Sequence, residues 1–180
     1  MTDLAAFWDR AWDELAGGVA DGAHPMRIVT LATLGPEGPQ ARSMGLRLAD
    51  RQEAVVAVHT DRVTPKVSQI EADPRVALLA WNPESQVQVR LTGRATVRSG
   101  AEVEHLWQEI PPEGRINYGT APDPGAPIPG PFAYEKPAVR DRFAVLSCRV
   151  ETVDVVDLSR RHLRAIYVRG DGFAGTWVAP

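Results

Sequence analysis

The chain of 180 residues predicts a mainly β, antiparallel protein with a few peripheral helices, built as one domain over residues 1–180. Three observations lead there. Short runs rich in Val, Ile, Leu and Thr recur through the middle and the end of the chain, separated by clusters of Gly, Pro, Asn and Asp. Helical periodicity is confined to the N-terminal stretch and to short segments between those runs. A hydrophobic content of 44% with 20 basic and 23 acidic residues is that of an ordinary domain able to bury its own core, which excludes disorder, collagen and a disulfide scaffold.

Residues 4–15 place Leu4, Phe7, Trp8, Ala11, Trp12 and Leu15 at three- and four-residue spacing, with Asp9, Arg10, Asp13 and Glu14 on the other face. This predicts an amphipathic helix over residues 3–17 whose aromatic face lids the core. Thr2 or Asp3 is its N-cap and Gly17-Gly18 its stop. After His24-Pro25 the texture becomes β. Runs at 27–34 and 40–48 flank Gly35-Pro36-Glu37-Gly38 and read as a hairpin. A third run covers 54–60. A short helix is predicted over Pro65–Ala72, with Thr64 as N-cap and Pro65 at its first position. Runs at 76–81 and 87–97 around Asn82-Pro83-Glu84-Ser85 give another strand pair, and the five antiparallel strands together predict a barrel.

A helix over 101–109 follows. Residues 111–137 then carry eight of the fifteen prolines and cannot form a regular element. Tyr118, Phe132 and Tyr134 within them point to an ordered, packed loop. The last strands are predicted at 143–157, 164–169 and 172–178, the final two joined at Gly170-Asp171. Cys148, the single cysteine, lies in an apolar run and reads as a reduced core thiol of the cytosol.

The acidic N-terminal residues do not match a secretory signal, and every apolar run is broken by charge or proline well short of a membrane span. A cytoplasmic location is expected, with no membrane or nucleic-acid partner; a net charge of −3 argues against binding through bulk positive charge. No phosphate loop, dinucleotide fingerprint or metal-binding pair is present, and His24, His59, His105 and His162 are too scattered to define a metal site.

What stands out is a set of basic and hydroxyl residues at strand ends: Arg42-Ser43-Met44-Gly45-Leu46-Arg47, then Thr60 and Thr64-Pro65-Lys66, then Gln88 and Arg90. A phosphate monoester carries roughly two negative charges and three acceptor oxygens, so Arg, Lys, hydroxyls and the start of a helix suit it together. From spacing alone the same residues also read as solvated strand-end and helix charges.

Those stretches, with His59-Thr60 ahead of Thr64-Pro65-Lys66, Asp73-Pro74-Arg75-Val76-Ala77-Leu78, and Trp81-Asn82-Pro83 followed by Gln88-Val89-Arg90-Leu91-Thr92-Gly93, resemble the flavin mononucleotide (FMN) site of the pyridoxamine 5'-phosphate oxidase-like family. Order and spacing agree over residues 27–97, and a weaker match resumes at about 143. The resemblance implies an antiparallel split β-barrel and a homodimer with FMN at the subunit interface. It implies that Arg42 and Lys66, with Thr60 and Thr64, hold the FMN phosphate, that the backbone of Ser43, Met44, Gly45 and Leu46 runs along the isoalloxazine ring, and that Gln88 bonds its polar edge. Arg160-Arg161-His162-Leu163-Arg164 is similar to the family's Arg-x-His-x-Arg pattern. By that likeness Arg164 approaches the flavin, while Arg160 and His162, with Arg47, face substrate; His162 reads equally as a surface residue. Trp177-Val178-Ala179-Pro180 echoes the family's last strand.

Departures concern the substrate. Pro65 replaces a second basic residue, and Asp154 or Val155 stands where a Trp would cover the flavin. The Tyr, Arg and Ser that grip pyridoxamine 5'-phosphate have no counterparts in 106–115. The expected activity is an FMN-dependent oxidoreductase with a different small-molecule substrate. A flavin carrier without turnover, or a reductase using the deazaflavin F420, are the alternatives.

Overall fold

The computed structural model describes residues 3–159 and 161–180. The Thr2 cap alternative and the substrate-facing candidate Arg160 lie outside the described residues.

Among the described residues eight strands form one antiparallel sheet: β1 (Ile28–Gly35), β2 (Gly38–Asp50), β3 (Val55–Asp61), β4 (Arg75–Asn82), β5 (Val87–Ser99), β6 (Phe143–Asp157), β7 (Leu163–Val168) and β8 (Thr176–Val178). Their order is β3-β2-β1-β4-β5-β6-β7-β8, and β3 also pairs with β6, which closes six strands into a barrel. The seam is β6. Its residues 143–149 pair with β3 and its residues 152–157 with β7, while β5 follows nearly its whole length. Side chains alternate across each strand, so Val29 and Leu31 of β1 are buried while Ile28 and Leu34 are exposed.

The barrel interior holds the main core, including Leu31, Leu46, Val56, Val58, Leu78 and Leu146. The alternate residues of β3 and β6, Ala57, Phe143 and Val145, form a second cluster with Val103, Trp107 and Tyr118. Cys148 is buried in the main core, and burial pushes its thiol up to about 12.

Helix α1 (Leu4–Ala20) packs Phe7, Ala11, Trp12 and Leu15 against the barrel. Asp3 is its N-cap, its side chain accepting from the Ala6 N–H at 2.7 Å. The predicted stop is corrected: the helix runs through Gly17-Gly18 and ends before Asp21. The glycines serve close approach. A Cβ on Gly18 would lie 2.5 Å from the Met26 carbonyl oxygen, in the turn of 3-10 helix Pro25–Arg27 that leads into β1.

Helix α2 (Pro65–Ala72) has the predicted bounds, but Thr64 makes no side-chain cap. Its hydroxyl donates instead to the Asp61 carbonyl at 2.7 Å. The helix predicted over 101–109 divides into a 3-10 turn, Gly100–Val103, and α3 (Glu104–Glu109). Within the proline-rich segment one turn of helix forms, α4 (Pro112–Arg115). Packing of that segment rests on Tyr118, which is buried; Tyr134 is exposed and Phe132 is 87% exposed, contrary to the expectation of an aromatic-packed loop. The loop is tethered instead by a buried carboxylate. Asp61 accepts from the Gly119 N–H and from Arg142 Nε, each at 2.8 Å. The final strand is shorter than predicted, three residues, because Gly172 and Gly175 adopt positive φ and turn the chain before it. Among the described residues no helix is long and apolar enough to cross a membrane.

Candidate functional site

Arg42 lies opposite Leu31 in the β1–β2 ladder and points with Leu31 and Thr33 toward α2. Its guanidinium donates to Thr33 Oγ1 at 2.6 Å, Gln69 Oε1 at 3.2 Å and the Leu31 carbonyl at 3.3 Å. Lys66, in the first turn of α2, donates from Nζ to Thr60 Oγ1 at 3.2 Å, and the Thr60 and Thr64 hydroxyls lie 3.2 Å apart. Burial, and then the charge of Arg42, hold the Lys66 ammonium below its usual range, with Asp61 pulling the other way. Among the described residues neither cation has a carboxylate partner. Two cations and two hydroxyls gathered without a directly paired carboxylate form a site that an anion would stabilise.

A second group surrounds Arg47. A bulge between Leu46 and Leu48 interrupts the β2–β3 ladder there. Arg47 lines a cavity of about 320 Å³ with Arg27, His59, Leu106, Ile110 and Tyr118. Its Nη1 folds back to donate to the Leu46 carbonyl at 3.1 Å, a position that a Cβ on Gly45 would approach to 2.6 Å. Glycine at 45 leaves room for that head group. His59 packs edge-on against Phe143, with ring centroids 4.9 Å apart. Burial, then the charges of Arg47 and Arg27, push it down to about 4, so the imidazole is neutral near pH 7.

A third group occupies the outer face of β5, β6 and β7. Gln88 lies opposite Val156, which lies opposite Arg164, so the two residues share a row across three strands. Arg164 forks onto Asp154 at 3.0 and 2.9 Å, and Arg90 pairs with the same carboxylate. Burial alone would raise Asp154, but the Arg164 hydrogen bonds and the Arg90 charge outweigh it and leave it lowered. Val155 is buried in the core, so Asp154 is the residue on the outer face.

The structure therefore joins Arg42, Thr60, Thr64 and Lys66, and separately Arg47 and His59. Within one chain it does not bring Gln88 or Arg164 into contact with either group. Ser43 is exposed opposite Thr30, Gly45 is opposite Ile28, Met44 packs against the core, and Leu46 is buried in it. His162 is exposed. Sequence reasoning missed Arg27, Thr33, Gln69 and Asp61. Nothing in their local spacing marks them, because each acts across the barrel or from a neighbouring element.

A closed antiparallel barrel split along one long strand, with two cations and two hydroxyls around the start of α2, defines a split-barrel protein. The family described as "Pyridoxamine 5'-phosphate oxidase, FMN-binding domain" matches residues 8–99, and the chain belongs to it. A pyridoxine/pyridoxamine 5'-phosphate oxidase of Anaeromyxobacter dehalogenans is 32% identical over 105 residues, covering 58% of this chain and 52% of its own. The corresponding enzyme of Microcystis aeruginosa is 32% identical over 108 residues, 59% of this chain and 49% of its own. The chain thus spans about half the length of the curated relatives it matches. Among solved structures, a pyridoxamine 5'-phosphate oxidase-related, FMN-binding protein of Nostoc punctiforme superposes with TM-score 0.77 at 23% identity, covering 96% of both chains. PhzG of Burkholderia lata superposes with TM-score 0.70 at 17% identity, covering 96% of this chain and 91% of its own. Both share the split-barrel fold.

Proposed function

We propose that this chain binds FMN and works as an FMN-dependent oxidoreductase, a homodimer with the cofactor at the subunit interface, on a small molecule other than pyridoxamine 5'-phosphate. The observation that carries the reading is the cluster of Arg42, Lys66, Thr60 and Thr64, in which two cations repel each other beside two hydroxyls, the charge of Asp61 offsets this only in part, and among the described residues no carboxylate pairs directly with either cation. A phosphate monoester supplies both the charge and the acceptors that this cluster lacks. FMN, when bound, would supply two-electron redox chemistry at its isoalloxazine ring, so the protein itself need only bind and orient the reactants. The chain's own part is to grip and orient. Arg42 and Lys66 would hold the phosphate, the backbone from Ser43 to Leu46 would line the ring's site, and Gln88 would supply a polar group to it.

The outer face of β1 and β4 supports the dimer. Ile28, Leu34, Leu79 and Trp81 are exposed there on adjacent strands, and Thr30 pairs with Leu79. An apolar sheet face of this kind favours burial against a second copy. In this reading the partner completes what one chain leaves apart, since Gln88 and Arg164 continue the same outer surface beyond Trp81.

The substrate reading rests on residues 106–114, which contribute Glu109 and Glu113 but no cation. Arg115 does not compensate. It donates to the Ile110 carbonyl at 2.8 Å and lies 5.2 Å over the Trp107 ring. The test is the absorption spectrum of the purified protein, followed by denaturation and identification of the released flavin, with FMN expected. Release of F420, or of no flavin, overturns the cofactor assignment. Anaerobic mixing of the FMN-loaded protein with pyridoxamine 5'-phosphate should leave the flavin oxidised, and rapid bleaching overturns the substrate assignment.

A further inference from the structure

The cavity beside Arg47 contains a cation that no sequence motif announced. Arg27 closes the 3-10 turn before β1, and its Nη1 is committed to the Gly18 and Val19 carbonyls at 3.4 and 3.0 Å. Arg47 likewise commits Nη1 to a backbone carbonyl. Each guanidinium keeps its other nitrogens, and among the described residues neither has a carboxylate partner. The two charges bear on each other: burial and then Arg27 lower Arg47, and both lower His59. Tyr118 is buried on the same wall, and its hydroxyl makes no hydrogen bond among the described residues. Leu106 and Ile110 supply an apolar side, and Glu109 stands exposed among the lining residues.

We propose that Arg27 and Arg47 together bind the single carboxylate of a small, otherwise largely apolar substrate, with the Tyr118 hydroxyl as a third donor and Arg27 as the residue that sets this specificity. The proposal deepens the oxidoreductase reading above and rests on it for calling the ligand a substrate. Charge decides for a carboxylate over a phosphate ester. Two guanidiniums against the Glu109 carboxylate leave about one positive charge, which one carboxylate balances and a phosphate dianion exceeds. A planar carboxylate also matches the edge of a guanidinium. Neutral His59 adds no further cation, so the anion-binding wall is confined to the two arginines and the tyrosine.

The probes are benzoate, phenyl phosphate and benzyl alcohol, titrated calorimetrically into the flavin-loaded protein at low ionic strength. Benzoate should bind saturably, more tightly than phenyl phosphate and at least about tenfold more tightly than benzyl alcohol. Arg27→Gln should weaken benzoate by about tenfold or more, the loss of one charge-assisted contact, and Arg27→Lys should restore part of it. Since Arg27 also braces the end of α1, Glu109→Gln gives an independent arm: it should raise phenyl phosphate affinity more than benzoate affinity. Benzoate binding that is unchanged in Arg27→Gln, phenyl phosphate binding more tightly than benzoate to the unaltered protein, or equal effects of Glu109→Gln on both probes each overturn the proposal. If the purified protein takes up no flavin, the oxidoreductase reading fails on that result. The same titrations on flavin-free Lys66→Met protein, in which the competing anion site is disabled, then still decide whether Arg27 and Arg47 hold a carboxylate.

Discussion

Replacing Lys66 with Met should move cofactor affinity and stability in opposite directions. Met keeps most of the aliphatic stem and removes the ammonium whose Nζ lies 3.2 Å from Thr60 Oγ1. A charge-assisted hydrogen bond contributes about 1.5–3 kcal/mol, so FMN affinity should fall by between about tenfold and about a hundredfold. Riboflavin, which has no phosphate, should bind the variant and the parent alike. In the flavin-free protein the same ammonium is held below its usual range by burial and by Arg42. A base whose folded value is depressed destabilises the fold while it is protonated, and the penalty is relieved as pH rises toward the unfolded value. Lys66→Met should therefore leave flavin-free protein at least as stable as the parent near neutral pH, and the parent should gain on the variant as pH climbs toward 10.5. Fluorescence titrations with FMN and riboflavin, beside thermal melts of flavin-free protein from neutral pH upward, measure both. Equal losses for FMN and riboflavin, or a variant that melts well below its parent at neutral pH, would refute the reasoning.

Three further outcomes are expected. His59 should titrate near 4 by NMR of its ring protons; its contribution to stability is present in full above the ordinary value of 6.5 and is lost as pH falls through about 4, and a midpoint near 6.5 contradicts this. Flavin-loaded protein should scatter light as twice the 19.6 kDa chain mass, with Leu79→Arg shifting it toward the monomer; a monomeric parent removes the interface assigned to the face of β1 and β4. Gly18→Ala should cost about 1–3 kcal/mol in urea unfolding from overpacking against the Met26 carbonyl, whereas helix propensity alone favours Ala by about 1 kcal/mol, so the sign distinguishes the two.

Regular elements were legible wherever local chemistry decided them. The Pro65 helix start, the Gly35-Pro36-Glu37-Gly38 hairpin and the burial of Cys148 follow from residues within a few positions of each other. The misreadings have a common cause. Gly17-Gly18 carries the signal of a helix stop, yet the helix continues, and the glycines make room for the His24 ring against Gly17 and the Met26 backbone against Gly18. Phe132 carries the signal of a packed aromatic, yet it stays exposed while Asp61 and Arg142, polar residues 81 positions apart, hold the loop. Strand order was equally hidden, since β1 pairs with β4 and β3 with β6 across long stretches of chain. At the candidate site, the residues picked out by motif spacing, Arg42, Thr60, Thr64 and Lys66, lie near one another around the start of α2. Arg27 could not be found that way, because the bulge at Arg47 and the turn before β1 bring the two arginines to one cavity, and neither leaves a periodic trace.

The carboxylate of Asp61 receives both ends of the proline-rich excursion, one through the Gly119 amide and the other through Arg142. The chain between them leaves the barrel and returns to the same point. Closing a loop costs entropy that grows only slowly with its length, and here the closure is made at the neck. The outer part of the loop lies beyond these ties, since Arg140 pairs with Glu104 and Arg142 also reaches Thr120 and Asp123: residues can be added, removed or exchanged between 124 and 134 while β3 and β6 keep their register. Such a neck makes the loop a separable module in the evolution of the fold, one through which a split barrel can acquire a new rim to its site without being rebuilt.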